Sequence, residues 1–378
     1  MSFRFVHTAD WHIAKPFGAF DDERANRLRE ARFGAIDEIA KVARATGAGI
    51  VLVAGDIFDG PGIADEPLRR VLAKLEVHAP IIWHLLPGNH DAATVGGIWD
   101  RIARIGVPAN VVVHREAVPI ELAPHVVLLP APLAARHVAS DPSAWMDGAA
   151  TRAGVCRIGL AHGAVQGFGS SGEASMPLAV DRARTAGLSY LALGDWHGAR
   201  EVAPRTWYSG TPEPDRFLDN DPGFVLAVEI EAADACVVTR HAVAKHAWLK
   251  REATAGVGDP LAAIEREVAA LGAGADQILL QLVITGRVTL AEDQALRARI
   301  KALAPRLLHL DARLDDLIIS VAGADAALFG DEALGAVASS LAARIEAAAT
   351  PAEQDIARHA LRRLAELAAD AAGGRNAA

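Results

Sequence analysis

The run Ile50-Val51-Leu52-Val53-Ala54-Gly55-Asp56-Ile57-Phe58-Asp59-Gly60 decides the reading of this chain. Its first part is apolar and mostly β-branched. That marks a short strand buried on both faces, as in a parallel or mixed sheet covered by further layers. Gly55 ends the strand and Asp56 stands at its carboxyl end, where open α/β sheets place their ligands. Asp59 follows three residues later. Taken alone, the segment reads as a turn rich in turn formers, and its neighbours are what give it chemistry.

Strand and helix alternate on both sides of this run. Arg4–Thr8 reads as a strand that ends in Ala9-Asp10-Trp11-His12, and Asp21–Ala45 as an amphipathic helix stopped by Thr46-Gly47-Ala48-Gly49. After Asp59 comes an amphipathic helix through Leu68, Val71, Leu72 and Leu75, then a strand, Pro80–Leu86, that ends in Pro87-Gly88-Asn89-His90-Asp91. Such alternation marks a layered α/β domain. Short strands follow between Asn110 and Pro132, and Arg157–Ala161 delivers His162. Gln166–Gly172 reads as a mobile loop and Leu178–Ala186 as a helix. Ser189–Leu193 delivers Gly194-Asp195-Trp196-His197, and strands at Gly223–Ile230 and Ala235–Val243 close the unit.

From about residue 247 the character changes. Helix, strand, helix and strand (260–271, 277–286, 291–303, 307–314) suggest a small α/β module. An alanine-rich helical pattern then runs from Gly330 to Ala372, broken near Thr350-Pro351, with a frayed tail at 373–376. The predicted division is 1–246, 247–325 and 326–378.

The 378 residues are 51% hydrophobic and 22% charged, an ordinary globular balance. The chain opens without a basic segment and apolar signal core, and no apolar run nears the roughly 18 residues that span a bilayer. The sequence therefore predicts a soluble, cytoplasmic protein with no membrane partner. Cys156 and Cys236 sit in apolar, strand-like surroundings and read as reduced core residues. The net charge of −9 excludes a general electrostatic attraction to polyanions, so such a substrate needs local cations, metal or a partner.

Five apolar strands end in metal-ligand types: Asp10 and His12, Asp56, Asn89 and His90, His162, and Asp195 and His197. Strands of a sheet bring distant residues within a few ångströms, so separations of 46, 33, 73 and 35 residues do not prevent convergence. Carboxylate, imidazole and amide oxygen without thiolate favour Mn, Fe, Mg or Zn in an oxygen-rich site over a structural zinc. An aspartate such as Asp56 can bridge two cations, an arrangement suited to in-line displacement at phosphorus.

Asp10-Xaa-His12, Gly55-Asp56-Xaa-Xaa-Asp59, Gly88-Asn89-His90-Asp91, His162 and Gly194-Xaa-Xaa-His197 resemble the ordered motifs of the calcineurin-like metallophosphoesterases. Within that superfamily HTADWHIAKPFG, VAGDIFDG, LLPGNHD and WYSGTPEP are similar to SbcD-type DNA repair nuclease subunits, over about residues 1–245. The resemblance implies a layered αββα sandwich with a smaller C-terminal α/β cap and helical tail. It implies two divalent ions, manganese before Mg, Fe or Zn, and hydrolysis of DNA phosphodiester bonds by water activated between them. It also implies an SMC-type, SbcC-like ATPase partner docking on the C-terminal region, and a homodimer. Residue by residue it places Asp10, His12, Asp56 and His197 on one ion and Asp56, Asn89, His162 and Asp195 on the other. His90 becomes the general acid, with Asp59 to orient it or hold its proton.

One position departs from the pattern. The last motif of the family usually reads Gly-His-Xaa-His, and here Asp195 stands for the first histidine. Aspartate can ligate a hard cation or stand behind the ligands and leave the second position weak. Trp196 stacks on a base at the site mouth or packs beneath the metals. Lys15, Arg24 and Arg216 are candidate phosphate contacts. Two rival readings remain: hydrolysis of cyclic nucleotides or other small phosphodiesters, and a DNA-end-binding subunit with a degenerate site.

Overall fold

A computed structural model describes residues 2–168, 176–218, 220–232, 235–256, 258–320, 329 and 332–376. The chain divides into two compact units, Met1–Asp215 with Asn220–Ala247, and Arg216–Asp219 with Trp248–Ala378.

The first unit holds two six-stranded sheets. Its strands in chain order are β1 (Phe3–Thr8), β2 (Ile50–Val53), β3 (Ile82–Leu85), β4 (Val111–Val113), β5 (Ile120–Ala123), β6 (Val126–Ala131), β7 (Cys156–His162), β8 (Ala164–Val165), β9 (Pro177–Leu178), β10 (Tyr190–Gly194), β11 (Arg200–Ala203), β12 (Thr206–Tyr208), β13 (Phe224–Ala232) and β14 (Ala235–Ala242). One sheet runs β14-β13-β1-β2-β3-β4 and the other β11-β12-β10-β7-β6-β5, while β8 and β9 form a separate pair. The central strands β1 to β4 are mutually parallel, as are β6, β7, β10 and β12.

Residue alternation explains the layers. Val6, Val51, Val53, Trp83 and Leu85 face helices α1 (Asp22–Thr46), α2 (Asp65–Glu76) and α3 (Ile98–Ile105), meeting Ile36, Ile39, Leu68, Val71 and Ile102. Their chain neighbours Phe5, Leu52 and Leu86 face the second sheet, against Leu128, Ile158, Leu160 and Tyr190. The outer face of that sheet, with Val127, Leu129, Leu191 and Leu193, is covered by Met146, Ala183 and Leu188. The result is a layered α/β sandwich, as the sequence predicts. Asp21 caps α1 by accepting from the Arg24 N–H, and Gly47 closes it in the left-handed conformation that glycine adopts without strain.

Leu178–Ala186 differs from its predicted helix. Pro177–Leu178 pairs with Ala164–Val165, and only α4 (Arg182–Thr185) is helical. Buried Arg182 is tied to Asp141 and Asp147, and Asp141 also accepts from the Ala179 N–H. These ionic ties shape the segment where an apolar helical face does not. Residues 169–172 of the expected mobile loop lie outside the described residues. Both cysteines are half-buried and outside any disulfide.

Two buried polar pairs lock the sheets. Tyr190 donates its hydroxyl proton to His7 Nδ1 (3.0 Å), and His7 Nε2–H donates to the Leu193 carbonyl (3.1 Å). His84 and His114 stack with one ring N–H bonded to the other across 2.9 Å. Burial pushes His84 down to about 3 and His114 to about 4, the neighbouring ring adding to the effect at His84. An unfolded histidine titrates near about 6.5. These neutral rings therefore contribute stability that is complete above that pH and is lost as pH falls toward about 4, by up to about 1.4 kcal/mol per unit and ring. We expect the urea midpoint to drop between about pH 6.5 and 4.5, and to drop less in a His84→Gln/His114→Gln variant. Parallel pH profiles for the two proteins would contradict this.

The second unit contains β15 (Ala247–Ala255), β16 (Ile278–Thr289), β17 (His309–Arg313) and β18 (Leu317–Ser320), with β17 and β18 both parallel to β16. Helices α5 (Ala262–Leu271), α6 (Leu290–Leu303), α7 (Glu332–Ala347) and α8 (Pro351–Asn376) complete it. Ala338, Ile345, Leu361 and Ala365 of α7 and α8 share one core with Leu280, Leu282 and Ile284 of β16. Arg362 turns to the buried carboxylate of Asp293 on α6. The helix continues through residues 373–376, read from sequence as a frayed tail. Among the described residues no helix is long and apolar enough to cross a membrane.

Candidate metal centre

The site is built where parallel strands end. Asp10 and His12 leave β1, Asp56 leaves β2, Asn89 and His90 follow β3, His162 ends β7, and Asp195 and His197 follow β10. Four of these residues have positive φ: Asp10 (55°), His12 (43°), Asp56 (53°) and Asp195 (107°). Such backbone is uncommon for residues with a Cβ and persists where surrounding bonds over-determine it. Here the Asp10 N–H donates to Gly55 O (3.1 Å), His12 N–H to Asp56 O (3.0 Å) and Ile13 N–H to Ile57 O (2.9 Å). Two glycines make the approach possible. A Cβ on Gly55 would come within 2.3 Å of His162 Nδ1, and one on Gly88 within 2.2 Å of Asp56 Oδ1.

Every residue predicted as a ligand or acid reaches this edge. His12 Nε2 lies 3.2 Å from His197 Nε2 and 3.7 Å from Asp56 Oδ2. His162 Nε2 lies 2.8 Å from Asn89 Oδ1, 3.5 Å from Asp56 Oδ2 and 4.0 Å from Asp195 Oδ1. The Asp195 N–H donates to Asp10 at 3.0 and 3.2 Å, and the His90 N–H donates to Asp56 Oδ1 at 2.9 Å. Three groups present ligand atoms within 4.8 Å of one another: Asp10, His12 and His197; His12, Asp56 and His90; Asp10, Asp56 and His162. Asp195 belongs to none of these groups.

Hydrogen bonds fix the direction of the imidazoles. His162 Nδ1–H donates to the Ala54 carbonyl (2.8 Å), which aims Nε2 at Asn89 and Asp56. The His197 Nδ1–H donates to Asp215 Oδ1 (3.3 Å), and His12 Nδ1 lies 3.1 Å from Asp59 Oδ1, an ion-pair contact. The Nε2 atoms of His12 and His197 face each other across 3.2 Å. A cation bound to both would satisfy them, and each ring has the carboxylate behind it that a metal-binding histidine typically has.

The electrostatics agree. Burial opposes charge on His162, yet Asp56, Asp10 and Asp195 prevail and push it up to about 9. Burial pushes Asp10 up to about 7 and His12 down to about 4. At Asp56 burial is outweighed by His162, His12 and His90, and the carboxyl stays below its usual range. Burial thus favours a neutral His12, while the crowded carboxylates hold a positive charge on His162 that a divalent ion would replace, and the donor set fits hard or borderline cations.

Asp59 meets His90 through its main chain. Its main-chain carbonyl, not its carboxylate, accepts from His90 Nδ1–H (2.8 Å). The carboxylate turns to His12 and to Lys15 Nζ (3.6 Å). Trp196 is half-buried and packs edge-on against Phe168 (5.1 Å), which stacks on Tyr208. Arg24 is paired with Asp21.

Three contributors had no role assigned from sequence. Asp91 is buried and accepts from the Gly88 N–H (2.7 Å) and the Phe58 N–H (3.1 Å), joining the loops after β2 and β3. Burial pushes it up to about 7, with Asp56 adding to the effect. The Thr211 hydroxyl lies 2.8 Å from the Asp10 carbonyl. Asp215 is buried behind His197, 3.2 Å from Lys15 and 3.8 Å from Arg32. Asp91 is visible within GNHD, but nothing in PEPD distinguishes Asp215 from a loop residue.

Residues 3–183 match the family of calcineurin-like phosphoesterases. This segment belongs to that family. The chain is also similar to the SbcD subunit of the nuclease SbcCD from Rhodobacter capsulatus, 33% identical over 94 residues. That stretch is 24% of this chain and 22% of the relative, so the match spans less than a quarter of either. Family membership makes the phosphoesterase segment a hydrolase of phosphoester bonds, and its His and Asp clusters mark it for divalent metal.

Proposed function

We propose that this phosphoesterase hydrolyses DNA phosphodiester bonds at a two-metal centre. The observation that carries the two-metal reading is Asp56. Its Oδ2 lies 3.7 Å from His12 Nε2 and 3.5 Å from His162 Nε2, between rings assigned to different ions, and it shares with Asp10 membership of two of the three ligand groups. Asp10, His12, Asp56 and His197 would hold one ion and Asp56, Asn89, His162 and Asp195 the other. The Asp195 carboxylate is partly exposed, its oxygen 4.0 Å from His162 Nε2. Divalent ions there would polarise the phosphoryl oxygen and lower the pKa of the attacking water.

The remaining work falls to the chain. His90 gives its Nδ1 proton to the Asp59 carbonyl as a hydrogen bond, which leaves Nε2 to carry a second proton. As the water oxygen bonds to phosphorus and the P–O bond to the leaving sugar breaks, that proton passes to the departing oxygen. His90 is placed for this by its own N–H on Asp56.

Support for DNA as substrate comes from the motif resemblance and the name of the relative. The motif resemblance also carries manganese, an SMC-type ATPase partner and a homodimer, and the relative's name, a subunit of SbcCD, adds support for a partner subunit. The net charge of −9 fits a subunit that leaves most DNA contacts to its partner. That charge also favours the second reading, a small phosphodiester, because two cations singled out as phosphate contacts, Lys15 and Arg24, already face carboxylates. Purified protein with Mn2+ should degrade linear duplex or single-stranded DNA. Rapid turnover of cyclic nucleotides with intact DNA would overturn the nuclease reading.

A further inference from the structure

We propose that Lys15 is a positioning residue of the metal centre, fixing the ring orientation and tautomer of His12 and His197 through Asp59 and Asp215. The proposal deepens the metal reading above and rests on it for its consequence, tighter binding of a divalent ion between those two rings.

The side chains form a closed circuit. His12 Nδ1 meets Asp59 Oδ1 at 3.1 Å, and Lys15 Nζ stands 3.6 Å from that same oxygen. The Lys15 ammonium is also 3.2 Å from Asp215 Oδ2, whose partner oxygen lies 3.3 Å from His197 Nδ1. The circuit closes where His197 Nε2 meets His12 Nε2 across 3.2 Å. One ammonium therefore serves both carboxylates that stand behind the two facing rings. The backbone holds it there: the Lys15 N–H donates to the His12 carbonyl (3.1 Å), and Ala14 between them has φ 69°.

Buried Arg32 supports the same side. Its Nη1 donates to the Trp11 carbonyl (2.6 Å), in the chain between Asp10 and His12, while Nη2 is 3.8 Å from Asp215. Without Lys15, Asp59 would lose the cation that holds it toward His12 and would be free to turn to solvent. Asp215 would keep Arg32. The His12 side is therefore the more dependent of the two. This placement also argues against Lys15 as a phosphate contact, since its ammonium already stands beside two carboxylates and a polyanion would have to displace them.

Lys15→Met, Lys15→Arg and Asp215→Asn variants of the full chain test this by two readouts besides activity. Long-range 1H–15N spectra of the metal-free protein report which ring nitrogen of His12 and His197 carries the proton. Mn2+ titration followed by the electron paramagnetic resonance of free Mn2+ reports affinity. In the wild type both rings should carry the proton on Nδ1 with Nε2 bare. Lys15→Met should mix the His12 tautomers and weaken Mn2+ binding about 10- to 100-fold, the usual range for loss of an outer partner. Lys15→Arg should restore most of both, and Asp215→Asn should disturb His197 alone. Unchanged tautomers in Lys15→Met overturn the proposal, as does unchanged Mn2+ affinity with weakened binding of a phosphodiester. If the wild type binds no Mn2+, the metal reading fails by itself, and the tautomer spectra still decide whether Lys15 positions the rings.

Discussion

Asp56→Asn should lower kcat for any phosphodiester by about 10^3-fold or more, since the metal terms at stake are worth several kcal/mol. The expectation follows from sharing. Asp56 belongs to two of the three ligand groups, with His12 and His90 and with Asp10 and His162. Asparagine keeps the oxygen that accepts from the His90 N–H, so the loop geometry at 2.9 Å survives. What disappears is the charge that holds the centre together and the second oxygen, 3.7 Å from His12 and 3.5 Å from His162. Activity of metal-saturated protein, with circular dichroism as a control for folding, checks this. Loss of less than about tenfold would show that Asp56 stands outside the chemistry.

His90→Gln should lower kcat on DNA or an alkyl diester by about 10^2 to 10^4, the usual contribution of general acid catalysis. The loss should shrink for bis(p-nitrophenyl) phosphate, whose leaving group departs without a proton. KM should change little, because the Nε2 proton is needed when the leaving oxygen gains charge in the transition state and not for binding. Equal losses on both substrates would assign His90 to structure or metal binding, a role its proximity to His12 and Asp56 makes concrete. The comparison is sharpened by Asp59, whose carboxylate faces His12 and Lys15. Asp59→Asn should leave the leaving-group pattern of the wild type intact.

Much of the centre was legible because short apolar runs, several of them followed by glycine, mark where side chains leave the sheet. The runs before Asp10, Asp56, Asn89, His162 and Asp195 are short, apolar and β-rich, and the structure ends a parallel strand at or near each one. The glycines carry a second message, that of close approach: Gly55 leaves room for His162 and Gly88 leaves room for Asp56. What could not be read was side-chain direction. Asp59 offers both a carbonyl and a carboxylate, and only the turned backbone after Asp56 settles that the carbonyl meets His90.

Asp215 was hidden for a different reason. Its role depends on a loop anchored by Glu213, which is buried and accepts the Lys245 and His246 N–H groups at 2.8 Å. Such contacts, more than thirty residues apart, leave no periodic trace. The segment 178–186 reads as a helix because Ala179, Ala183 and Ala186 stand at helical spacing, while ionic ties at Arg182 govern it. In the second unit the alternation of helix and strand was plain, but the inward turn of Arg362 toward Asp293 was not.

Divalent-metal stoichiometry of the purified, metal-stripped chain tests the central claim most directly. Titration with Mn2+, read by electron paramagnetic resonance and elemental analysis, should give two ions per chain with the exchange-coupled spectrum of ions that share a ligand. In Asp56→Asn that coupled spectrum should be absent. A wild-type protein that holds fewer than one Mn2+ per chain, or a single uncoupled ion unaffected by Asp56→Asn, would contradict the two-metal centre.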